Sequence, residues 1–204
     1  MSTQPIPRYT PEQYLAMERA AETKHEYFDG EIFAMSGASR SHVLIAGNLA
    51  AALLGQLRDR PCNVYPLDMR VRVSPTGLFT YPDVIVVCGD EQFADDHEDT
   101  LLNPTVIFEV LSPSTESYDR GKKFRHYRTL DSLREYVLVS QEEPRIEQYV
   151  RQPGDEWLLH DAAGLDAELT LRSVDATLRL ADVFNKIEFP PAEEETLGDR
   201  SAAR

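Results

Sequence analysis

The sequence predicts an α/β fold in which helices flank a mixed β-sheet, and three observations carry that expectation. Segments 82–88 and 105–111 are apolar on both strand faces, as in a sheet covered on both sides. Helical periodicity appears before and after them, over 39–58 and 118–130. An Asp29-Gly30 pair between two short runs marks a tight hairpin near the start.

The elements follow in order. Thr10 is a candidate N-cap, with Pro11 at the first helical position and Glu12 in the first turn, so a helix is expected to about Glu22. In the hairpin the two-residue turn sets Phe28 opposite Glu31 and Glu26 opposite Phe33, with both glutamates on one side. Ser39 to about Arg58 reads as the longest helix, with Ile45, Ala46, Leu49, Leu53 and Leu57 as its apolar stripe and His42 at its head. Strands are expected at 63–65, 68–73, 82–88 and 105–111, then a helix over 118–130 ended by Asp131-Ser132. A strand at 135–140 and a hairpin of 145–151 with 157–160 around Pro153-Gly154 come next, then a strand or two and a short helix. Residues 1–189 read as one domain, and 190–204 as an acidic tail with almost nothing to bury, expected to fray.

Composition bounds the function. The chain has 204 residues and a net charge of −14, which speaks against a passive basic coat for nucleic acid. The strongest apolar run, Val84 to Cys88, is far short of the roughly 20 residues of a membrane span. The first ten residues have no apolar core of a secretory signal. Cys62 and Cys88 read as isolated thiols, so a cytoplasmic setting is expected. Neither P-loop nor dinucleotide fingerprint occurs, and no histidine has zinc spacing to a cysteine. The acidic run Asp90–Asp99 lacks the glycine and terminal glutamate of a calcium loop and reads as a solvated loop.

Two carboxylates need a physical explanation. Asp83 opens an apolar strand and Glu109 lies inside another, on the face shared by Ile107 and Leu111. An ionised carboxylate buried alone costs several kcal/mol at least, so Glu109 needs the sheet's end, a cation or a metal. Asp83 reads as a turn residue, and Glu109 as the partner of a core arginine, when each is taken alone. Taken together on neighbouring strands about 4.8 Å apart, they can share one divalent cation. The following segment adds Arg120, Lys122, Lys123, Arg125 and Arg128 within nine residues. Asp119, Lys123 and Tyr127 share one helical face, and Arg120, Lys122 and Arg125 read as a lip for phosphate or as a solvated basic face.

The succession YTPEQYLAM, HEYFDGEIFAMSGAS with His42, YPDVIVV, VIFEVLSPSTESYDRGKKFRHY and REYVLVS resembles the bacterial Uma2 (Uma-two) family of restriction endonucleases, within the PD-(D/E)xK nucleases. The resemblance implies a restriction-endonuclease-like fold and a Mg²⁺- or Mn²⁺-dependent endonuclease acting on DNA. It places metal ligands at Asp83 and Glu109, the catalytic lysine at Lys123 with Lys122 as its neighbour, and an upstream glutamate at Glu26 with Glu31 as second candidate. His42, Asp119 and Tyr127 become supporting residues. Leu111 stands where the simple motif carries its lysine, two residues after Glu109. An inactive nuclease-derived binding module, and a structural protein whose carboxylates pair with Lys123, are the alternatives. A homodimer would let two sites cut two strands.

Overall fold

Thr10 caps the first helix, α1 (Pro11–Glu18), through a reciprocal capping box with Gln13. The helix ends four residues before the expected Glu22. The Glu18 carboxylate accepts from the backbone N–H of His25 at 2.8 Å and from Tyr81 at 2.9 Å, which turns the chain back. In the computed structural model, which describes residues 7–189, the next two strands are β1 (His25–Phe28) and β2 (Glu31–Ala34). Their register sets Phe28 opposite Glu31 and Glu26 opposite Phe33, as the turn requires. Asp29 and Gly30 both take positive φ, and Gly30 packs so close to Arg8 that an added Cβ would lie 3.2 Å from its side chain. The expected frayed tail, 190–204, lies outside the described residues.

Ser39 caps α2 (Arg40–Leu57), and Ile45, Ala46, Leu49, Ala50, Leu53 and Leu57 are its buried stripe. That stripe packs on a six-stranded sheet formed by β3 (Cys62–Pro66), β6 (Val84–Cys88), β8 (Val106–Val110), β9 (Glu135–Val139), β10 (Arg145–Arg151) and β11 (Trp157–Ala163). Their spatial order is β11-β10-β9-β8-β6-β3. Within this sheet only β8 and β9 pair in parallel, which demands a crossover, and the helical stretch after β8 supplies it. Val106, Phe108 and Val110 face α2, while Ile107 and Leu111 face a second core with Ile85, Tyr127 and Tyr136. The two-sided burial inferred from sequence is therefore met. β12 (Glu168–Leu171), β13 (Ala176–Arg179) and α5 (Leu180–Val183) close the α2 side.

Four expectations need correction. The sheet is not single: β4 (Arg70–Val73), β5 (Leu78–Thr80) and β7 (Thr100–Leu101) join the hairpin in a separate five-stranded sheet, β2-β1-β5-β4-β7. The short β5 and β7 are too brief for a period to show in sequence. The helix over 118–130 is instead α3 (Glu116–Tyr118), a π-turn (Asp119–Lys123) and α4 (Phe124–Tyr127). Cys62 and Cys88 are not isolated; they are direct partners across β3 and β6 and form a disulfide. The 90–99 loop is not merely solvated, because Asp95 and Asp99 hold Arg19 of the α1 end at 2.8 and 2.7 Å. No helix among the described residues is long and apolar enough to cross a membrane.

Candidate functional site

The site forms where β6 and β8 meet the crossover helices. Val84 pairs with Phe108, so Asp83 lies one step further, opposite Glu109. The Asp83 carboxylate takes over a strand-end hydrogen bond, accepting from the N–H of Val110 at 2.7 Å. Its other oxygen meets Nε2 of His42 at 2.6 Å, reached from the first turn of α2. Glu109 is 4% exposed and presents Oε1 to Lys123 Nζ at 3.0 Å and to the Tyr127 hydroxyl at 2.7 Å.

Lys123 is the hub. The π-turn brings Asp119 and Lys123 inward together, and α4 adds Tyr127 below them. All three are buried, as their shared helical face predicts. Lys123 Nζ lies 3.2 Å from Glu26 and 3.5 Å from Asp119, and 5.9 Å from the Tyr118 ring centre. Glu26 arrives from the hairpin and accepts from Thr80 at 2.5 Å. Burial opposes the lysine's charge, but Glu109, Glu26 and Asp119 together hold its pKa well above the ordinary value. Burial pushes Glu109 well above the usual carboxylate range; Lys123 pulls it down, and Asp119 and Asp83 push it further up. Burial likewise raises Asp119, against the pull of Lys123.

Three carboxylates thus surround one ammonium, with Asp83 beyond them on His42, and Asp119 Oδ1, buried 3.5 Å from Lys123, has no closer hydrogen-bond partner. That surplus of buried anionic oxygen suits a hard divalent cation, which takes oxygen ligands and keeps several waters. Among the described residues no three His, Cys, Asp or Glu side chains are gathered at metal-ligating spacing. Mg²⁺ needs only one or two carboxylates with water and substrate phosphate, and Asp83 and Glu109, opposite one another just before β6 and on β8, would be the pair to hold it.

The remaining candidates divide. Lys122 and Arg125 are exposed and line a cleft of about 770 Å³ with Glu26, Tyr118 and His126. Arg120 does not face that cleft; it is ion-paired with Glu116 at 2.7 Å and with Glu147, so it is withdrawn as a phosphate ligand. Glu31 sits opposite Phe28 at the hairpin tip, two residues along from the Phe33–Glu26 pair, and is not among the ion-pair partners of Lys123. Leu111 is buried in the second core, where a lysine would have no water.

Three contributors escaped sequence reasoning. Thr80 reaches the hub through Glu26 from the brief β5, and Tyr118 lies beside Lys123 as an uncharged member of the motif-bearing segment. Gln141, just after β9, donates to the Leu111 carbonyl at 2.6 Å, and its amide nitrogen lies 3.5 Å from Nδ1 of His42. Its carbonyl accepts from Ser39 at 2.5 Å. An imidazole whose Nδ1 accepts from Gln141 carries its proton on Nε2 and donates it to Asp83.

Comparisons with known proteins show the family and the fold. Residues 11–181 match the model of the Uma2 family, described as "Putative restriction endonuclease". An uncharacterized protein of Synechocystis sp. is 35% identical over 187 residues, covering 91% of this chain and 96% of its own. A second from the same organism is 36% identical over 160 residues, covering 78% and 90%. The crystal structure of "a putative nuclease belonging to DUF820" from Anabaena variabilis aligns with a TM-score of 0.67 at 19% identity, covering 85% of this chain and 96% of that one. At that identity the likeness establishes the fold.

Proposed function

Because the chain belongs to the Uma2 restriction-endonuclease family and has a restriction-endonuclease-like fold, we propose that it is a metal-dependent endonuclease that hydrolyses DNA phosphodiester bonds at the Asp83–Glu109–Lys123 site. The observation that supports this most is the convergence on Lys123 of Glu109 from the sheet, Glu26 from the hairpin and Asp119 from its own turn.

Asp83 and Glu109 would hold Mg²⁺ or Mn²⁺. A bound divalent ion supplies charge at the phosphoryl oxygen and lowers the pKa of the attacking water. The chain's own residues do the rest. Lys123, held charged, stabilises negative charge developing on the phosphorus oxygens and orients the water. Glu26 and Asp119 hold the ammonium in place, and Tyr127 fixes one Glu109 oxygen so that the other is presented in one direction. His42 fixes Asp83 in the same way. Lys122 and Arg125 receive the flanking phosphates as exposed positive charges.

The test is nicking of supercoiled plasmid with Mg²⁺ or Mn²⁺, with chelator, and with Asp83→Asn and Glu109→Gln. Metal-dependent nicking lost in both variants is expected. Equal nicking by wild type and Asp83→Asn would sink the assignment. One observation favours a second reading, an inactive nuclease-derived binding module: Glu109 Oε1 is already taken by Lys123 and Tyr127. Calorimetric titration with Mn²⁺ separates the two, since the inactive module gives no heat dependent on Glu109.

A further inference from the structure

We infer that the cleft beside Glu26 is a stacking site for unpaired bases, so that the enzyme takes single-stranded or locally opened nucleic acid rather than an intact duplex. This rests on the nuclease reading and names the substrate class of the same site.

The cleft lies between the hairpin, the β4–β5 turn and the crossover helices, and its walls are aromatic and basic. Phe28, Phe33, Tyr118 and His126 line it, with Lys122 and Arg125 at its rim. Phe33 is 48% exposed, on β2, which is the edge strand of its sheet. Such exposure of a phenyl ring is costly, at about 25 cal/mol per Å² of apolar surface left in water. Its position is informative: Phe33 is the cross-strand partner of Glu26, whose carboxylate lies 3.2 Å from Lys123. Directly paired side chains stand roughly 5 Å apart at Cβ, about one nucleotide's reach. A base lying on Phe33 therefore has its own phosphate near the Lys123 hub.

The remaining walls fit the same occupant. The Phe28 and His126 rings meet edge to face at 4.7 Å, forming a rigid second wall. Burial, then the neighbouring Arg125, lowers the His126 pKa, so its ring is neutral at pH 7. Burial pushes Tyr118 up to about 12, so it is an uncharged phenol. Neutral rings offer π-faces, and a base offers its π-face only when it leaves the stack. Lys122 and Arg125 complement the backbone of such a strand.

The experiment is fluorescence anisotropy of labelled dT20, rU20 and a blunt 20-base-pair duplex, in chelator, at one fixed salt concentration. The expected result is at least 10-fold tighter binding of a single strand than of the duplex; whichever of dT20 and rU20 binds more tightly identifies the source. Stacking is worth about 1–3 kcal/mol per base, so Phe33→Ala should weaken single-strand binding about 5- to 150-fold. Duplex binding should stay unchanged, and Phe33→Trp should restore the single-strand affinity. Equal or tighter duplex binding overturns the inference, as does an unchanged single-strand affinity in Phe33→Ala with an unchanged melting temperature. Cleavage is scored separately. Single-strand preference without Mg²⁺-dependent cutting removes the nuclease reading and leaves the stacking site; duplex cutting without preference does the reverse.

Discussion

Lys123→Met removes a charge and keeps most of the side chain, and its effect can be worked from the geometry. The ammonium lies within 3.5 Å of Glu26, Glu109 and Asp119, and only 8% of its side chain is exposed. Removing one partner of a buried pair costs about 3–5 kcal/mol, because the other charge is left without compensation. Here three carboxylates lose their partner, and Glu109 and Asp119, already raised by burial, respond by taking up protons. In the variant the folded carboxylates bind protons that unfolded ones have already released above about pH 4.5. Stability must therefore fall as pH rises from there. In the wild type the raised Lys123 pKa contributes stability that is present below about 10.5 and lost as pH climbs through the folded value. Urea denaturation should show a loss of about 3–5 kcal/mol at pH 7.5 and a smaller one at pH 5. Lys123→Met/Glu109→Gln should recover part of it, since a neutral amide still accepts from Tyr127. A loss under about 1 kcal/mol at pH 7.5, or a double variant no more stable than the single, would refute the hub. Plasmid nicking should be absent in both variants, measured below their melting temperatures.

Three further outcomes are expected. Asp83→Asn keeps an acceptor for the Val110 N–H but turns its amide NH2 toward the Nε2–H of His42, so it should melt below wild type yet stay folded while nicking falls by about 100-fold or more. Gln141→Ala should lower activity without abolishing it, and Gln141→Asn should not restore it, because the shorter amide cannot span Ser39, Leu111 and His42; thermal melting and plasmid nicking read this together. Hydrogen bonding from Arg19 holds Asp99 at about 2, below its ordinary 3.8. A depressed acid contributes stability above its unfolded pKa and loses it as pH falls through the folded one. Asp99→Asn should thus flatten the acid limb of unfolding between pH 4 and 2, by about 1 kcal/mol after discounting for solvent.

What sequence could and could not show divides along physical lines. The hairpin register was legible because a two-residue turn with Gly30 allows one pairing, and that pairing fixed the side on which Glu26 stands. The α2 stripe and the two-sided burial of β8 followed from period alone. The Asp119, Lys123, Tyr127 face survived even though a π-turn interrupts the helix, because both geometries return near the same azimuth after four residues. Gln141, Thr80 and the disulfide were not legible, since each depends on which strands become neighbours. Local pattern carries no information about that until the sheet order is known. Arg120 failed for a related reason: its partner Glu147 lies on β10, 27 residues away, so its charge looked free.

The net charge of −14 looks different once these pairings are placed. Asp95 and Asp99 are committed to Arg19, and Glu116 and Glu147 to Arg120, so those acids are not free to repel a strand. The carboxylates that do face the substrate path are Glu26 and the buried group around Lys123, where negative charge exceeds positive. A phosphate approaching them meets a repulsion that a divalent cation offsets, so charge adds little to affinity without metal. Lys122 and Arg125 give only two exposed positive charges beside the cleft, a footprint that supports weak, salt-sensitive binding. Affinity in this design therefore comes from stacking on Phe33 and its neighbours, and the divalent ion decides whether the held strand is cut. On that argument, raising salt from 50 to 200 mM should weaken single-strand binding by about one order of magnitude, the slope of two phosphate contacts, rather than the roughly 10³-fold or more of a basic DNA-coating protein. A steep slope would mean that charges other than Lys122 and Arg125 carry the strand.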